Sequence, residues 1–421
     1  MLEMKKVKER VILVGLGKDY IEETDSIDVN PLEELKLLTE TAGAEVVGSV
    51  TQARSKVDPR YFIGVGKAQE LSDHVKSLNA TTVIFDNDLS PAQVSNLQKL
   101  LEIKVIDRSG LILDIFALRA KTREAKTQVE LAQLKHLLPQ LTRQWTHLSR
   151  QVGGIGVRGP GETQLEVDRR RIRSRISHLT LSLKKIEKRH SVSRSGRKSC
   201  YKITLVGYTN AGKSTLFNVL SRANAPVEDK LFKTLDSMTR VVNFNNTPPI
   251  LLTDTVGFIR NLPHELIASF KSTLSDVKDA DLLLHVIDVT NPGWKEQIDT
   301  VDTVLKDLDS SDKQIIMVFN KIDAFENSSM FHSLKHIYHS SVIISAQNGT
   351  GIDDLKNTIQ EMTQQGRITF TMEFSQDDSS LLHDIYRYGI ILESRTHNDS
   401  LTLTFSLSES QAHKMKLGKN A

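Results

Sequence analysis

Residues 207–214 read Gly207-Tyr-Thr-Asn-Ala-Gly-Lys-Ser214, which satisfies the pattern G-x-x-x-x-G-K-[ST] of a phosphate-binding loop. The stretch sits between a strand-like run, Ile203–Val206, and a helix-like run that starts at Thr215. That context suits a P-loop in a doubly wound α/β domain. Gly207 and Gly212 let the main chain turn so that the N–H groups of Tyr208, Thr209, Asn210 and Ala211 face phosphate oxygens. The helix that follows adds the partial positive charge of its N-terminus. Lys213 is expected to reach the β- and γ-phosphates, and Ser214 to ligate Mg²⁺. A chance match is expected in about 2% of chains of this length, so the neighbouring motifs decide.

Three of them follow. Asp254-Thr255-Val256-Gly257 comes after the apolar run Ile250–Leu252; an aspartate there can hold Mg²⁺, and Gly257 can offer its N–H to a γ-phosphate. Asn320-Lys321-Ile-Asp323 comes after Ile315–Phe319. The Asp323 carboxylate can accept from guanine N1 and N2, a donor pair that adenine lacks, while Asn320 and Lys321 brace the loop and cover the base. Ser345-Ala346 comes after Val342–Ile344 and supplies an N–H for guanine O6. Four motifs in this order at strand ends lie on one edge of a doubly wound sheet. The expected ligands are GTP and GDP, and the expected activity is GTP hydrolysis with Lys213, Thr234 and Gly257 at the reacting phosphate.

Thr234 enters as the preferred switch I threonine of the stretch Leu231-Phe232-Lys-Thr234, a third metal ligand beside Ser214 and Asp254; Thr239 reads better as an ordinary hydroxyl. Phe258 stands where many GTPases of this class carry a water-orienting glutamine. Phenylalanine cannot orient water by hydrogen bonding. Intrinsic hydrolysis should therefore be slow, and a partner or a monovalent cation should complete the site. Asn210 admits two readings, a neighbour of a bound K⁺ and a brace of the loop.

Outside these motifs the chain of 421 residues has length for two to four domains. Its net charge of +3 is unevenly spread: residues 121–200 hold 19 Lys and Arg against 6 Asp and Glu. A basic stretch in a mildly acidic chain is the footprint of contact with phosphate backbones. The single cysteine, Cys200, excludes an intramolecular disulfide and a multi-cysteine metal site. The 13 histidines show no metal-binding spacing such as H-E-x-x-H. No apolar run is long enough for a transmembrane helix, and Val11–Leu16 is too short for a signal peptide, so a cytoplasmic location is expected. A monomer is expected.

Four structural parts are expected besides a short linker. Residues 1–118 alternate strand and helix, with strands at Val11–Gly15, Glu45–Val50, Thr81–Phe85 and Ile103–Ile106 and helices at Pro31–Ala42, Ala68–Leu78 and Pro91–Leu101. This implies a parallel α/β domain. Gly64-Val-Gly-Lys67 reads as a turn before a helix rather than a second phosphate loop. In residues 119–192, Leu131, Leu134, Leu138, Leu141, Trp145 and Leu148 form one heptad seam, and Leu165, Ile172, Ile176, Leu179, Leu183 and Ile186 another. The glycine-rich loop between them, Val152–Glu162, makes this an antiparallel helical hairpin. From Leu131 to Leu148 it spans roughly 27 Å, with Pro139 expected to kink its first helix and Arg150 and Arg158 at its tip. His136 and His147, on that helix, suit core or RNA-facing roles. Residues 190–200, with a boundary at 193, read as a linker. The P-loop domain occupies 201–364, and 365–421 form a small strand–helix–strand–strand–helix unit. Five arginines between Arg169 and Arg175, and Lys184, Lys185, Lys188 and Arg189, exceed the acidic residues able to pair them. RNA contact is the favoured reading over a merely solvated face.

With these residues in hand, the chain resembles the HflX family of ribosome-associated GTPases. The resemblance covers nearly all of residues 10–365. It is carried by Tyr61-Phe-Ile-Gly-Val-Gly-Lys67, Val105-Ile-Asp-Arg-Ser-Gly-Leu-Ile-Leu-Asp-Ile-Phe-Ala117, Gln128-Val-Glu-Leu-Ala-Gln-Leu134, Gly153-Gly-Ile-Gly-Val-Arg-Gly-Pro-Gly-Glu-Thr-Gln164 and the P-loop. The chain departs from the family pattern at Lys233 and at Ser237-Met238, and 365–421 carry less of the likeness. The resemblance implies binding to the large ribosomal subunit and its RNA, with splitting or rescue of stalled ribosomes. A GTP-gated RNA-binding or assembly factor without splitting activity is the alternative.

Overall fold

The computed structural model describes residues 8–17, 31–141, 164–195, 200–222, 231–232, 234, 237–244, 249–261, 275–324, 334, 336–364, 367–374, 379–397, 400–415 and 417. The chain divides into two compact units. The first comprises Met1–Glu187, Glu228–Asp236 and Arg260–Ser272, the second Lys188–Val227, Ser237–Ile259 and Thr273–Ala421.

The first unit holds a four-stranded parallel sheet of order β2-β1-β3-β4: β1 Arg10–Leu16, β2 Glu45–Gln52, β3 Thr82–Phe85 and β4 Lys104–Asp107. β1 and β3 are buried along almost their whole length. That is why they read as continuous apolar runs rather than as alternating ones. Helices α1 Glu33–Thr41, α2 Val65–Ser77 and α3 Pro91–Leu101 connect the strands. Gly64 caps α2 in an extended conformation, and Val65–Lys67, expected as a turn before the helix, are its first three residues, so the helix starts earlier than the sequence reading places it. α3 opens with a reciprocal capping box: Ser90 Oγ accepts from Gln93 N–H, Gln93 Oε1 accepts from Ser90 N–H, and Pro91 follows the cap.

α4, Arg108–Arg119, leaves β4 without a loop; Asp107 caps it by accepting from Gly110 N–H. The periodicity reading assigned no helix here, because Leu111, Ile112, Leu113, Ile115 and Phe116 are all buried and no polar face marks the period. α5, Arg123–Gln140, and α6, Gln164–Ser195, form the described part of the hairpin. Leu131, Leu179 and Leu183 make its buried seam, with Leu134, Ile176 and Ile186 packed against them. Arg175 and Glu130 tie the helices by two hydrogen bonds of 2.7 and 2.9 Å. Pro139 stands in the last turn of α5, whose described part ends at Gln140. Trp145, His147, Leu148, Arg150, Arg158 and the glycine-rich loop lie outside the described residues. The expected linker starts too early: residues 193–195 are the last of α6, because Ser and Arg do not oppose a helix already propagating. His136 is half-buried. Its Nε2 lies 3.3 Å from Asp107 Oδ1, joining the hairpin to the cap of α4.

In the second unit a six-stranded sheet has the order β10-β9-β8-β5-β7-β6. Its strands are β5 Tyr201–Gly207, β6 Met238–Val242, β7 Ile250–Asp254, β8 Leu282–Asp288, β9 Gln314–Asn320 and β10 Ser341–Ile343. All pairings are parallel except β6 with β7. Thr239 lies in β6 opposite Thr253, and their hydroxyls are 3.1 Å apart. Helices α7 Lys213–Ser221, α8 Ser275–Lys278, α9 Trp294–Asp307 and α10 Ile352–Gln364 belong to the same unit. Ile203, Leu205, Leu252, Leu284, Val286 and Val318 fill a core with Leu216 and Phe217 of α7 and Leu355 and Ile359 of α10. The chain ends in an antiparallel sheet, β11-β13-β12: β11 Arg367–Phe374, β12 Ile390–His397 and β13 Ser400–Ser408, with α11 Ser379–Tyr388 and α12 Glu409–Lys414. The architecture is thus a parallel α/β sheet, a helical hairpin, a doubly wound P-loop sheet and a small α+β sheet. Among the described residues no helix is long and apolar enough to cross a membrane.

Candidate active site

The order of the six-stranded sheet reverses beside β5, and ligands of such sheets bind outside the carboxyl ends of the strands at that point. The turn from β5 into α7 lies there. Its geometry requires glycine at two places. Gly207 has φ +148°, and a Cβ on it would stand 2.3 Å from Val286 O; Gly212 has φ +92°, and a Cβ there would stand 2.2 Å from Asn320 Nδ2. Asn210 also takes a left-handed conformation, φ +63°.

Lys213 is 6% exposed, and its Nζ donates to Gly207 O at 3.0 Å and to Tyr208 O at 2.6 Å. The ammonium is thereby pinned against the mouth of the loop. Burial pushes its pKa down to about 8, and Asp254 offsets part of that fall. Ser214 Oγ donates to Asp254 Oδ2 at 2.7 Å. A hydroxyl and a buried carboxylate so close, from the start of α7 and the end of β7, fit the small oxygen-ligand set that Mg²⁺ takes from protein beside phosphates.

The segment after β7 is packed onto the loop. Thr255 Oγ1 donates to Leu205 O at 2.6 Å. Phe258 N–H donates to Gly207 O at 3.1 Å, and Thr209 N–H donates to Phe258 O at 2.8 Å. Gly257 is a close approach as well: a Cβ on it would lie 2.8 Å from Thr209 Cα and 3.0 Å from Lys213 Nζ. Val256 and the Phe258 ring are buried.

The base-side motifs converge on one residue. Asn320, 2% exposed, donates from Nδ2 to Ala211 O at 2.9 Å and accepts at Oδ1 from Ala346 N–H at 2.9 Å. It thus bolts the phosphate loop to the Ser345-Ala346 turn. Lys321 Nζ pairs with Asp288 Oδ2 at 2.7 Å. Ser345 Oγ donates to Asp323 Oδ1 and accepts from Asn348 N–H. The structure therefore gathers Gly207–Thr215, Asp254–Gly257, Asn320, Lys321, Asp323, Ser345 and Ala346 on the carboxyl-end edge of one sheet. Phe232 and Thr234 belong to the first unit. Phe232 is buried edge-on against Phe116, 4.6 Å between ring centres, and Thr234 is half-buried.

Sequence reasoning missed His285, in β8. It is 1% exposed, and burial followed by the Lys213 charge pushes its pKa down to about 3. The only signal was a histidine inside an apolar strand. It also missed Arg108, which looks like one more surface arginine yet is 1% exposed. Arg108 reaches Glu34 Oε2 at 3.0 Å, donates to Asp86 Oδ1, and donates from Nε to Arg260 O at 3.3 Å.

Residues 30–117 match the family model described as GTP-binding GTPase N-terminal, 119–197 the GTP-binding GTPase Middle Region, and 202–321 the 50S ribosome-binding GTPase. The chain is similar to the GTPase HflX of Caldanaerobacter subterraneus, 48% identical over 86% of this chain and 82% of that one. It is 43% identical to the GTPase HflX of Escherichia coli over 93% and 91% of the two chains, and 43% identical to that of Flavobacterium psychrophilum over 88% and 94%. With a P-loop at the carboxyl edge of the sheet and likeness at this level over nearly the whole length, the chain belongs to the HflX family of P-loop GTPases.

Proposed function

We propose that this GTPase acts on the large ribosomal subunit, and that its GTP-bound form splits or rescues stalled ribosomes. Support comes from the match of residues 202–321 to a model described as a 50S ribosome-binding GTPase. It comes also from the exposed cations of α6: Arg170, Arg171, Arg173, Lys184, Lys185, Lys188 and Arg189, on a helix suited to phosphate contact.

In this reading, main-chain N–H groups from Asn210 to Ser214 hold the phosphates, the Thr209 N–H being engaged by Phe258 O, and Lys213 exchanges its two carbonyl partners for β- and γ-oxygens. Ser214 and Asp254 would hold Mg²⁺, which would supply positive charge beside the phosphates. Gly257 offers its N–H to the γ-phosphate. Asp323 and the Ala346 N–H read guanine. Binding of GTP changes the contacts of the two switch segments, Phe232–Thr234 and Asp254–Gly257, and the GTP-bound form favours one ribosomal state.

Sedimentation of purified 70S ribosomes with the protein and a non-hydrolysable GTP analogue tests the proposal. Release of free subunits is the expected result. Intact ribosomes carrying bound protein would replace splitting with an RNA-binding or assembly role. For the base site, Asp323→Asn should weaken GTP and improve xanthosine triphosphate, because an amide can donate to the xanthine O2.

A further inference from the structure

Thr209, the second variable residue of the P-loop, is 7% exposed, and its Oγ1 is buried with no hydrogen-bond partner. A buried hydroxyl left in that state opposes folding; valine has the same shape without the cost. Its surroundings say where the hydroxyl is used. A Cβ built on Gly257 would stand 2.9 Å from Thr209 Cγ2, 2.8 Å from Thr209 Cα and 3.0 Å from Lys213 Nζ. Thr209, Gly257 and Lys213 therefore meet in one small volume, and Lys213 marks it as the γ-phosphate end of the loop. The residue at the water-orienting position, Phe258, has no polar side-chain atom. Its main chain is committed to Gly207 and Thr209, and its ring is 1% exposed.

We propose that the Thr209 hydroxyl orients the attacking water at the γ-phosphate, accepting from the water and donating to a γ-phosphate oxygen. The water oxygen bonds to the γ-phosphorus as the bond from that phosphorus to the β–γ bridging oxygen breaks. The electron pair leaves on GDP, and the water proton passes to the released phosphate. Thr209 holds the water in line and gains or loses no proton overall. The inference rests on the reading of Gly207–Ser214 as the phosphate loop.

Thr209→Val and Thr209→Ser test it by single-turnover hydrolysis of GTP, GDP affinity and thermal melting. The valine variant should hydrolyse GTP on the order of 10²-fold more slowly. Its GDP affinity should stay within about threefold, and its melting temperature should equal or exceed that of the wild type. The serine variant should keep most of the rate. Wild-type rates in the valine variant would overturn the proposal. So would a fall in melting temperature alongside the loss of rate, which would make the hydroxyl structural. Lys213→Ala separates this from the parent reading: undiminished nucleotide binding by that variant would sink the phosphate-loop assignment itself.

Discussion

Asp86 and Arg260 lie 174 positions apart in sequence and form an ion pair of 3.3 Å, with the buried Arg108 on the other oxygen of the same carboxylate. Glu34 completes the group, 3.0 Å from Arg108 and 3.7 Å from Arg260. Two guanidinium groups thus balance two carboxylates at the carboxyl ends of the N-terminal sheet. Removing one partner of a buried pair leaves an uncompensated charge, at about 3–5 kcal/mol. Asp86→Asn should therefore lower stability by about that much in urea denaturation. Arg260→Ala should cost about 1 kcal/mol or less, because that side chain is 43% exposed and solvent screens it. Equal losses from the two variants would contradict this ranking.

Lys213 should make nucleotide affinity depend on pH. In the free protein burial holds its pKa at about 8, and phosphates favour the charged form. Affinity for GDP should fall about fourfold between about pH 7 and about pH 8.5, following the protonated fraction. The stability of the free protein should move the other way. The unfolded chain, with lysine near its usual 10.5, binds more protons between pH 8 and 10.5, so stability rises with pH across that window. Titration of a fluorescent GDP analogue checks the first claim, and Lys213→Arg should flatten the profile.

His285 predicts an acid-sensitive core. Its folded pKa of about 3 lies below the ordinary 6.5, so the unfolded chain binds more protons between those values. The stability that neutral His285 permits is complete above pH 6.5 and drains as pH falls, at about 1.4 kcal/mol per pH unit. Denaturation at about pH 7 and about pH 5 should show a loss of about 2 kcal/mol from this group. His285→Leu should remove that share; an unchanged slope would dismiss it.

Asn320 joins two loops through one amide. Asn320→Ala strips partners from Ala211 O and Ala346 N–H, both inside the site. Orphaned buried groups cost about 1–3 kcal/mol each. Affinities for GTP and GDP should fall together, by about a hundredfold. A selective loss of GTP alone would show that the bracing serves the γ-phosphate instead.

Asn210 carries the cation expectation. Hydrolysis should be faster in KCl than in NaCl at equal ionic strength, and Asn210→Ala should abolish the difference. Equal rates in the two salts would leave Asn210 as a brace of the left-handed turn it occupies.

What the sequence by itself determined was local. The P-loop, the guanine-reading motif and the strand–helix alternation are spacing patterns, and spacing fixes what a short stretch can do. The hairpin seam of Leu131, Leu179 and Leu183 was legible for the same reason: a heptad names its own face. Tertiary structure alone decided the partners of residues far apart. Arg108 looks like a surface arginine until Asp86 and Glu34 close on it. Helix α4 hides its period because burial leaves it no polar face. Thr209, Gly257 and Lys213 share one volume only because strands β5 and β7 lie side by side in register. The P-loop that announced the fold in eight residues names the phosphate site, but which hydroxyls, cations and carbonyls crowd it depends on which strands pair. Strand pairing is set by the packing of the whole sheet, which no window of sequence contains.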